Sequence, residues 1–499
     1  MPRLNTPLAS SAFELPQIHS EIHGRAQRSL WLVSVGQTLV ALLGFASGVV
    51  LARRLSPADF GLFAISTFVV VFVGMIADLG LHAGLIQRRE ELTTHVMRAA
   101  FTVQQTAATI ALLLLWPAAR LLPVLYPAAA PELVTLVHVM AADLYLLAWC
   151  RPSEALLERS LQYHRLVPID IAGATVYFGL AIILAMSGVG VLSFGIAWIA
   201  SSVCRLALVT RAAPWSVGFV WDWHTARSVL RVGLPLQGSR AIAQAQYWVT
   251  PTVVAATIGP TAAGMLQWAA GNGRKPLDLL EQLARVALPH FSRLHHDEHE
   301  LAETVSRYAG GFILLSGFWL VLVAVAGRDL VRLIYTDRWL PAVPALVLFA
   351  GVGTIVAIRL VATTALAGLG HSGLIGRVTI VSAVVTVIAS VALVPVLGGL
   401  GVPIGQLIGA LVAMPWLVAG LGHHAATRLV QVAASALVPM GAAVAAGVLV
   451  QMSSLDPARR GVLAAGVMFI VYATATSFTG AYRRAVAERA SPKPHPVGR

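Results

Sequence analysis

Charged side chains set inside long apolar runs are the residues of this sequence best placed to do chemistry. Arg240, Arg274, Lys275 and Arg359 all fall within such runs, and each would cost ~2.5–3.5 kcal/mol at the centre of a helix facing lipid. They must therefore face a wet cavity or a partner. Lys275 has Asp278 three residues on, and Arg274 has Glu281 seven residues on. That spacing puts each pair on one helical face and permits internal neutralisation. Arg240 and Arg359 have no acidic neighbour in their own runs. The alternative is a cationic cavity for an anion such as phosphate, which the planar guanidinium fork grips bidentately. Asp143 and Asp170 are the intramembrane acids, and either is a candidate site for a coupling proton or sodium ion. For Asp170, a helix-end carboxylate in contact with headgroup water is an equal alternative.

The signatures of soluble catalysis fail on inspection. Gly370-His371-Ser372-Gly373 begins like a nucleophile elbow, but Leu374 stands where the last glycine belongs and no strand pattern precedes it. Gly399-Leu400-Gly401 lacks the third glycine of a dinucleotide turn, and no glycine cluster leads to a P-loop lysine. In His295-His296-Asp297-Glu298-His299-Glu300, the first and last histidines have the i, i+4 spacing that shares a metal on one helical face. No pattern for a third ligand accompanies them, and the segment reads as a solvated amphipathic helix. Cys150 and Cys204 have no metal or disulfide spacing and read as packing residues. No catalytic residue, metal or cofactor is expected.

The elements that must position these charges are membrane helices. Of 499 residues, 57% are hydrophobic and 11% charged, against roughly 25% charged in soluble domains. The net charge of +13 does not point to nucleic acid, because the basic residues sit singly or in pairs between apolar runs and form no solvated patch. The run Ser29 to Leu51 carries no charge and is long enough to cross a bilayer core of ~30 Å. Arg53, Arg54 and a turn punctuated by Pro57 and Gly61 follow, then a second apolar run from Leu62 to Ala77, giving a transmembrane hairpin. Asp78 to Glu91 is expected to be a polar re-emergence into water. Further spans are expected near 98–118, 133–150, 166–186, 190–210, 229–257, 261–290, 308–327, 342–367, 374–397, 400–422, 430–451 and 460–480, about fourteen in all. The runs are continuous and too long for the alternating ~10-residue strands of a barrel, so the fold class is all-α. The seventh and eighth spans are interrupted by Pro235, Pro251, Pro260 and Pro276.

Lys and Arg lie in roughly threefold excess on the side of the membrane that holds the N-terminus, which by the positive-inside rule makes both termini cytoplasmic. Residues 1–27 read as a polar, unfolded tail without a removable signal peptide. A faint repeat relates Ser56-Pro57-Ala58-Asp59-Phe60-Gly61 to Gly259-Pro260-Thr261-Ala262-Ala263-Gly264, and Gly188-Val189-Gly190-Val191 to Gly399-Leu400-Gly401-Val402. Two related lobes follow from it: spans 1–6 over 28–211 and spans 7–12 over 212–425. Two additional spans occupy 426–482, with a second cytoplasmic tail at 483–499.

The opening hairpin also carries a family resemblance. Leu51-Ala52-Arg53-Arg54-Leu55-Ser56-Pro57-Ala58-Asp59-Phe60-Gly61, then Asp78-Leu79-Gly80-Leu81 and Ile86-Gln87-Arg88, resembles the amino-terminal signature of Wzx-type oligosaccharide flippases of the colanic-acid and succinoglycan exporter kind. Leu156-Leu157-Glu158-Arg159 with Tyr163, and Ala367-Gly368-Leu369-Gly370-His371, extend it over most of residues 28 to 425. The resemblance implies the multidrug/oligosaccharidyl-lipid/polysaccharide exporter fold, two six-helix lobes around a central cavity. It implies as substrate a polyprenyl-diphosphate-linked oligosaccharide, an exopolysaccharide or O-antigen repeat unit, turned across the bacterial inner membrane. It also brings in membrane lipid and the polymerase and export machinery as partners. It supplies no catalytic motif, so the four cations are substrate-binding candidates on physical grounds alone. Two competitors remain: a drug or cation antiporter of the same fold, which would need buried carboxylates for its substrate, and an integral-membrane polymerase or ligase, which would need a large outer loop. The longest outer loop, around Ala326 to Ala342, is short.

Overall fold

The computed structural model describes residues 15–88, 90–129, 131–294 and 298–490. Among them the long regular elements are all helices. The first, α1 (Leu15–Arg54), begins well before the expected start of span 1. Residues 15–27 are thus helical and not an unfolded tail, because extending an existing helix fixes one residue per hydrogen bond gained, and Pro16 is tolerated in a first turn. α2 (Pro57–Asp78) starts at a capping box: the Ser56 hydroxyl accepts from the Asp59 amide at 3.2 Å, and the Asp59 carboxylate accepts from the Ser56 amide at 2.8 Å. α2 ends at Leu79 and Gly80, both at positive φ. The chain then turns into α3 (Leu81–Gln87). Here the expectation that Asp78 to Glu91 returns to water is corrected for α3, while Gln87, Glu90 and Glu91 beyond its core are exposed as expected. Leu81 and Leu85 are fully buried, so α3 is packed inside the protein.

α4 (Thr94–Ala118), α5 (Glu132–Arg159), α6 (Tyr163–Met186) and α7 (Leu192–Ala212) complete a first group of packed helices. The stretch 213–222 leads to α8 (Trp223–Val249), which widens into a π turn at Thr250–Val254, where Pro251 has no N–H to offer. α9 (Pro260–Gly273) and α10 (Lys275–Phe291) meet end to end at Arg274. α11 (Glu298–Val325), the short α12 (Gly327–Ile334), α13 (Val343–Gly368), α14 (Ser372–Leu397), α15 (Gly401–Gly420), α16 (His423–Gln451) and α17 (Pro457–Ala490) follow. α9, α10, α13, α14 and α15 form a second group, while α16 packs on α11 and α17 on α16.

Among the described residues eleven segments are long and apolar enough to cross a membrane, and one of them, Ser372–Gly420, contains both α14 and α15. The protein is a multi-pass membrane protein. The expected spans at 229–257 and 261–290 are not among these segments. α8 is too polar, and the run read as one eighth span is two helices of 14 and 17 residues broken at Gly273 and Arg274.

The two groups touch most closely where α2 crosses α9. A Cβ on Gly61 would lie 1.8 Å from the Pro260 carbonyl oxygen, and a Cβ on Gly264 would lie 1.8 Å from that of Pro57. The contact is reciprocal. It pairs the two segments that the sequence relates as a repeat, each with proline in the first turn and glycine four residues later. Aromatic rings seal the same end: Phe60 packs edge-on against Phe194 at 5.3 Å and against Trp339 at 5.1 Å, and Trp339 stacks on Trp268 at 5.0 Å. Arg53 donates to the carbonyls of Leu333 and Ile334, both at 2.7 Å, capping the end of α12 across the seam.

Candidate functional site

Below that seal lies a cavity of about 600 Å³, walled by α2, α3, α5 and α7 on one side and by α8 on the other. The position of α8 follows from its ends. Asp222 caps its first turn by accepting from the Thr225 amide at 3.1 Å and also meets His95 of α4 at 2.8 Å. Those hydrogen bonds, the one from His95 foremost, hold the Asp222 carboxyl below the usual carboxylate range. Arg98 donates to the Ser216 carbonyl, and the Val220 amide donates to the Thr102 hydroxyl, both at 2.8 Å. Gly233 lies so close to Gly80 that a Cβ would sit 1.9 Å from the Gly80 carbonyl oxygen. The first half of α8 is thus bound to the first group, while the helix also packs against α14 of the second.

α8 presents Gln237, Arg240, Gln244 and Trp248 to the cavity. Among the described residues Arg240 has no ion pair and no hydrogen bond from its guanidinium. The opposite wall is not purely cationic. Asp78 accepts from Gln104 at 3.0 Å and lies 3.7 Å from Arg151; His82 and Glu158 are 3.6 Å apart. Asp143 lines the same cavity without an ion-pair partner among the described residues.

Behind this wall runs an ion network. Arg151 donates to Glu154 at 3.1 Å, Arg205 donates to the other oxygen of Glu154 at 2.6 Å, and Arg205 also donates to Asp170 at 2.5 Å. The Glu154 side chain is only 2% exposed, and two guanidinium partners offset its burial. Asp170 is therefore engaged with Arg205.

The other three cations lie elsewhere, which corrects the expectation of a single cationic cavity. Arg274 and Arg359 share a chamber of about 20 Å³ on the far face of α8, with Tyr247, Ser382 and Gln406. The Arg274 guanidinium lies 5.0 Å over the Tyr247 ring, and Arg359 donates to the Ser382 hydroxyl at 3.0 Å. Lys275 faces a third space, a groove of about 670 Å³ between α1 and α10, 3.9 Å from Asp278. The physical reason is the break at Gly273: with α9 and α10 separate helices, neighbours in sequence point into different spaces.

Sequence reasoning missed Asp78, His82, Arg151, Glu154, Glu158 and Arg205. The span expected at 133–150 stops short of Arg151, Glu154 and Glu158, whereas α5 continues through Arg151 and Pro152 to Arg159. The spacing of Arg151, Glu154 and Glu158 along one helical stripe was the available signal. His295 and His296 lie outside the described residues. Gly370, at positive φ, and His371 form the turn before α14, and the segment ahead of them is helix α13, not strand.

Residues 50–344 match the family described as polysaccharide biosynthesis protein. The chain is 25% identical over 311 residues to the succinoglycan biosynthesis transport protein ExoT of Rhizobium meliloti (strain 1021), covering 62% of each chain. It is 20% identical over 328 residues to the lipopolysaccharide biosynthesis protein WzxC of Escherichia coli (strain K12), covering 64% of this chain and 65% of that one. The chain thus spans less than two thirds of the length of these two relatives. Among solved structures, the lipid II flippase MurJ in an inward closed conformation superposes with a TM-score of 0.75 at 13% identity, covering 91% of this chain and 99% of that one. An inward-facing multidrug resistance MATE family transporter of the MOP superfamily superposes with a TM-score of 0.52 at 18% identity, covering 80% and 95%. The relatives agree with the resemblance carried by the opening hairpin, and the structural matches speak for the fold. With more than half of its length matched, this multi-pass membrane chain, built on the fold of the flippase and multidrug transporters, belongs to the polysaccharide biosynthesis protein family.

Proposed function

We propose that the protein turns a polyprenyl-diphosphate-linked oligosaccharide, an exopolysaccharide or O-antigen repeat unit, from the cytoplasmic to the periplasmic leaflet of a bacterial inner membrane by alternating access. The observation that carries this reading is Arg240, without an ion-pair partner among the described residues, in a cavity of about 600 Å³ between two groups of helices. A diphosphate cannot cross hydrocarbon unaided. Arg240 offers it a charge-assisted bidentate contact while the polyprenyl tail stays in lipid. No bond is made or broken. Both termini lie in the cytoplasm in this arrangement, and the seal at Gly61 and Gly264 is the periplasmic gate. Asp143, unpaired in the same cavity, is the candidate for a coupling proton or sodium ion, and Asp170 is set aside because it is spent on Arg205.

The test is Arg240→Gln. Loss of a charge-assisted contact worth about 1.5–3 kcal/mol weakens binding of the lipid-linked sugar roughly 10- to 150-fold, with Lys restoring only part because it lacks the fork. Bound lipid is quantified by native mass spectrometry and melting is followed on the same samples. Because no carboxylate among the described residues pairs with Arg240, thermal stability should not change. Undiminished lipid binding would overturn the assignment.

A further inference from the structure

The chamber that holds Arg274 and Arg359 is a second charged site, separated from the central cavity by α8. Gln246 and Tyr247 of α8, Ser382 of α14 and Gln406 of α15 complete its polar lining. Among the described residues no carboxylate lines it. Asp278 and Glu281, the nearest acids along the chain from Arg274, face the α1–α10 groove, within electrostatic reach of Arg274 but in no ion pair with it. Each guanidinium carries five N–H donors. Arg359 gives one to Ser382, and Arg274 rests on the faces of Tyr247 and Phe349, 5.0 and 6.0 Å from the ring centres. Neither makes an ion pair among the described residues. Two part-buried like charges facing one space are costly unless an opposite charge lies between them. The chamber's volume of about 20 Å³ exceeds the roughly 10–15 Å³ that one water requires, and is far too small for a diphosphate with its sugar.

We propose that this chamber binds one monatomic anion of chloride size, held between Arg274 and Arg359, with Gln406 as a neutral donor and Ser382, whose hydroxyl donates to the Gly409 carbonyl at 2.9 Å, orienting Arg359. Arg274 is the N-cap residue of α10, joined directly to the end of α9, and Arg359 lies on α13. The anion therefore ties the α9–α10 junction to α13 and stabilises the second helix group. It is distinct from the substrate, and its binding does not depend on the proposed lipid.

The experiment uses the purified full-length chain in detergent, in sodium gluconate at fixed ionic strength and pH, titrated by replacement with sodium chloride or bromide. The melting midpoint should rise by several degrees and saturate, with bromide reproducing chloride. In Arg274→Gln and Arg359→Gln, each judged against its own gluconate baseline, the chloride concentration for half effect should rise at least tenfold. Arg240→Gln should keep the wild-type halide response, so this proposal and the transport reading fail separately. A wild-type midpoint indifferent to halide would overturn the proposal, as would a full halide response in the double Gln variant. An Arg359-dependent rise with pyrophosphate but none with chloride would also overturn it and assign the chamber to the substrate. Should the Gln variants not fold, an anomalous bromide peak between the two guanidinium groups in wild-type crystals supports the site, and its absence overturns it.

Discussion

Replacing Arg205 by leucine strands a buried carboxylate. Glu154 accepts from Arg205 at 2.6 Å and from Arg151 at 3.1 Å, with 2% of its side chain exposed. Breaking a buried ion pair by removing one partner costs about 3–5 kcal/mol. Two features bring this case below that range: Arg151 remains in place, and Arg205 itself is 35% exposed, so solvent already screens part of its charge. A loss of roughly 2–3 kcal/mol is expected for Arg205→Leu. The companion is the double variant Glu154→Gln/Arg205→Leu, which strands no carboxylate on α5. Asp170, 30% exposed, can reach water. The double variant should regain most of the loss, giving a coupling energy above about 1 kcal/mol in a double-mutant cycle. Thermal melting in detergent of wild type, both single variants and the double provides the four corners. If Arg205→Leu melts with wild type, or the double melts no higher than the single, the network has no energetic coupling and the reasoning fails.

Gly61→Val should open the seal between α2 and α9, because a Cβ 1.8 Å from the Pro260 oxygen forces the helices apart by over an ångström; a cysteine at buried Leu266 should then react with a membrane-impermeant maleimide from one side, and equal protection in both backgrounds refutes this. The Asp329 carboxylate, 4% exposed, accepts from Arg460 at 2.8 and 3.1 Å, and those hydrogen bonds hold its pKa below the ordinary 3.8. Its folded pKa being the lower one, the stability it lends is complete above that ordinary value and is lost as pH falls from there through the lower folded pKa. Hydrogen-exchange protection at the start of α17, corrected for the intrinsic pH dependence of exchange, should fall in acid in wild type and lose that acid dependence in Asp329→Asn. Reporter fusions after Arg98 and after Arg428 should behave as cytoplasmic and one after Arg460 as periplasmic; a periplasmic signal at Arg98 would reverse the orientation.

Where hydrophobic length is the only requirement, the helices were readable from sequence. α2, α4, α6, α7 and α13 lie close to their expected places because continuous apolar runs have one solution in lipid. Boundaries failed where a polar residue looked like an exit. Arg151-Pro152 hid the last turns of α5, and Asp78 to Arg88 resembled a return to water although α3 is buried against α8. The candidate cations were found one by one, since a charge in an apolar run is conspicuous. Their grouping was not legible, because it depends on which face each helix turns and on the break between Gly273 and Arg274. The reciprocal contact of Gly61 and Gly264 is the counter-example: a weak sequence echo marked two segments that meet in space.

α8 resembles a beam clamped at both ends and soft near each clamp. Pro235 denies the Arg231 carbonyl its intrahelical donor, and Pro251 does the same to Tyr247 within the π turn. Between these two compliant joints lies the segment that carries Arg240 on one face and Gln246 and Tyr247 on another. A load applied at Arg240 can bow this middle section without tearing Gly233 from Gly80, and the bow is felt at once on the opposite face, where Tyr247 covers Arg274. Stiffening either joint, by Pro235→Ala or Pro251→Ala, would spread the same load along the whole beam and onto its clamps.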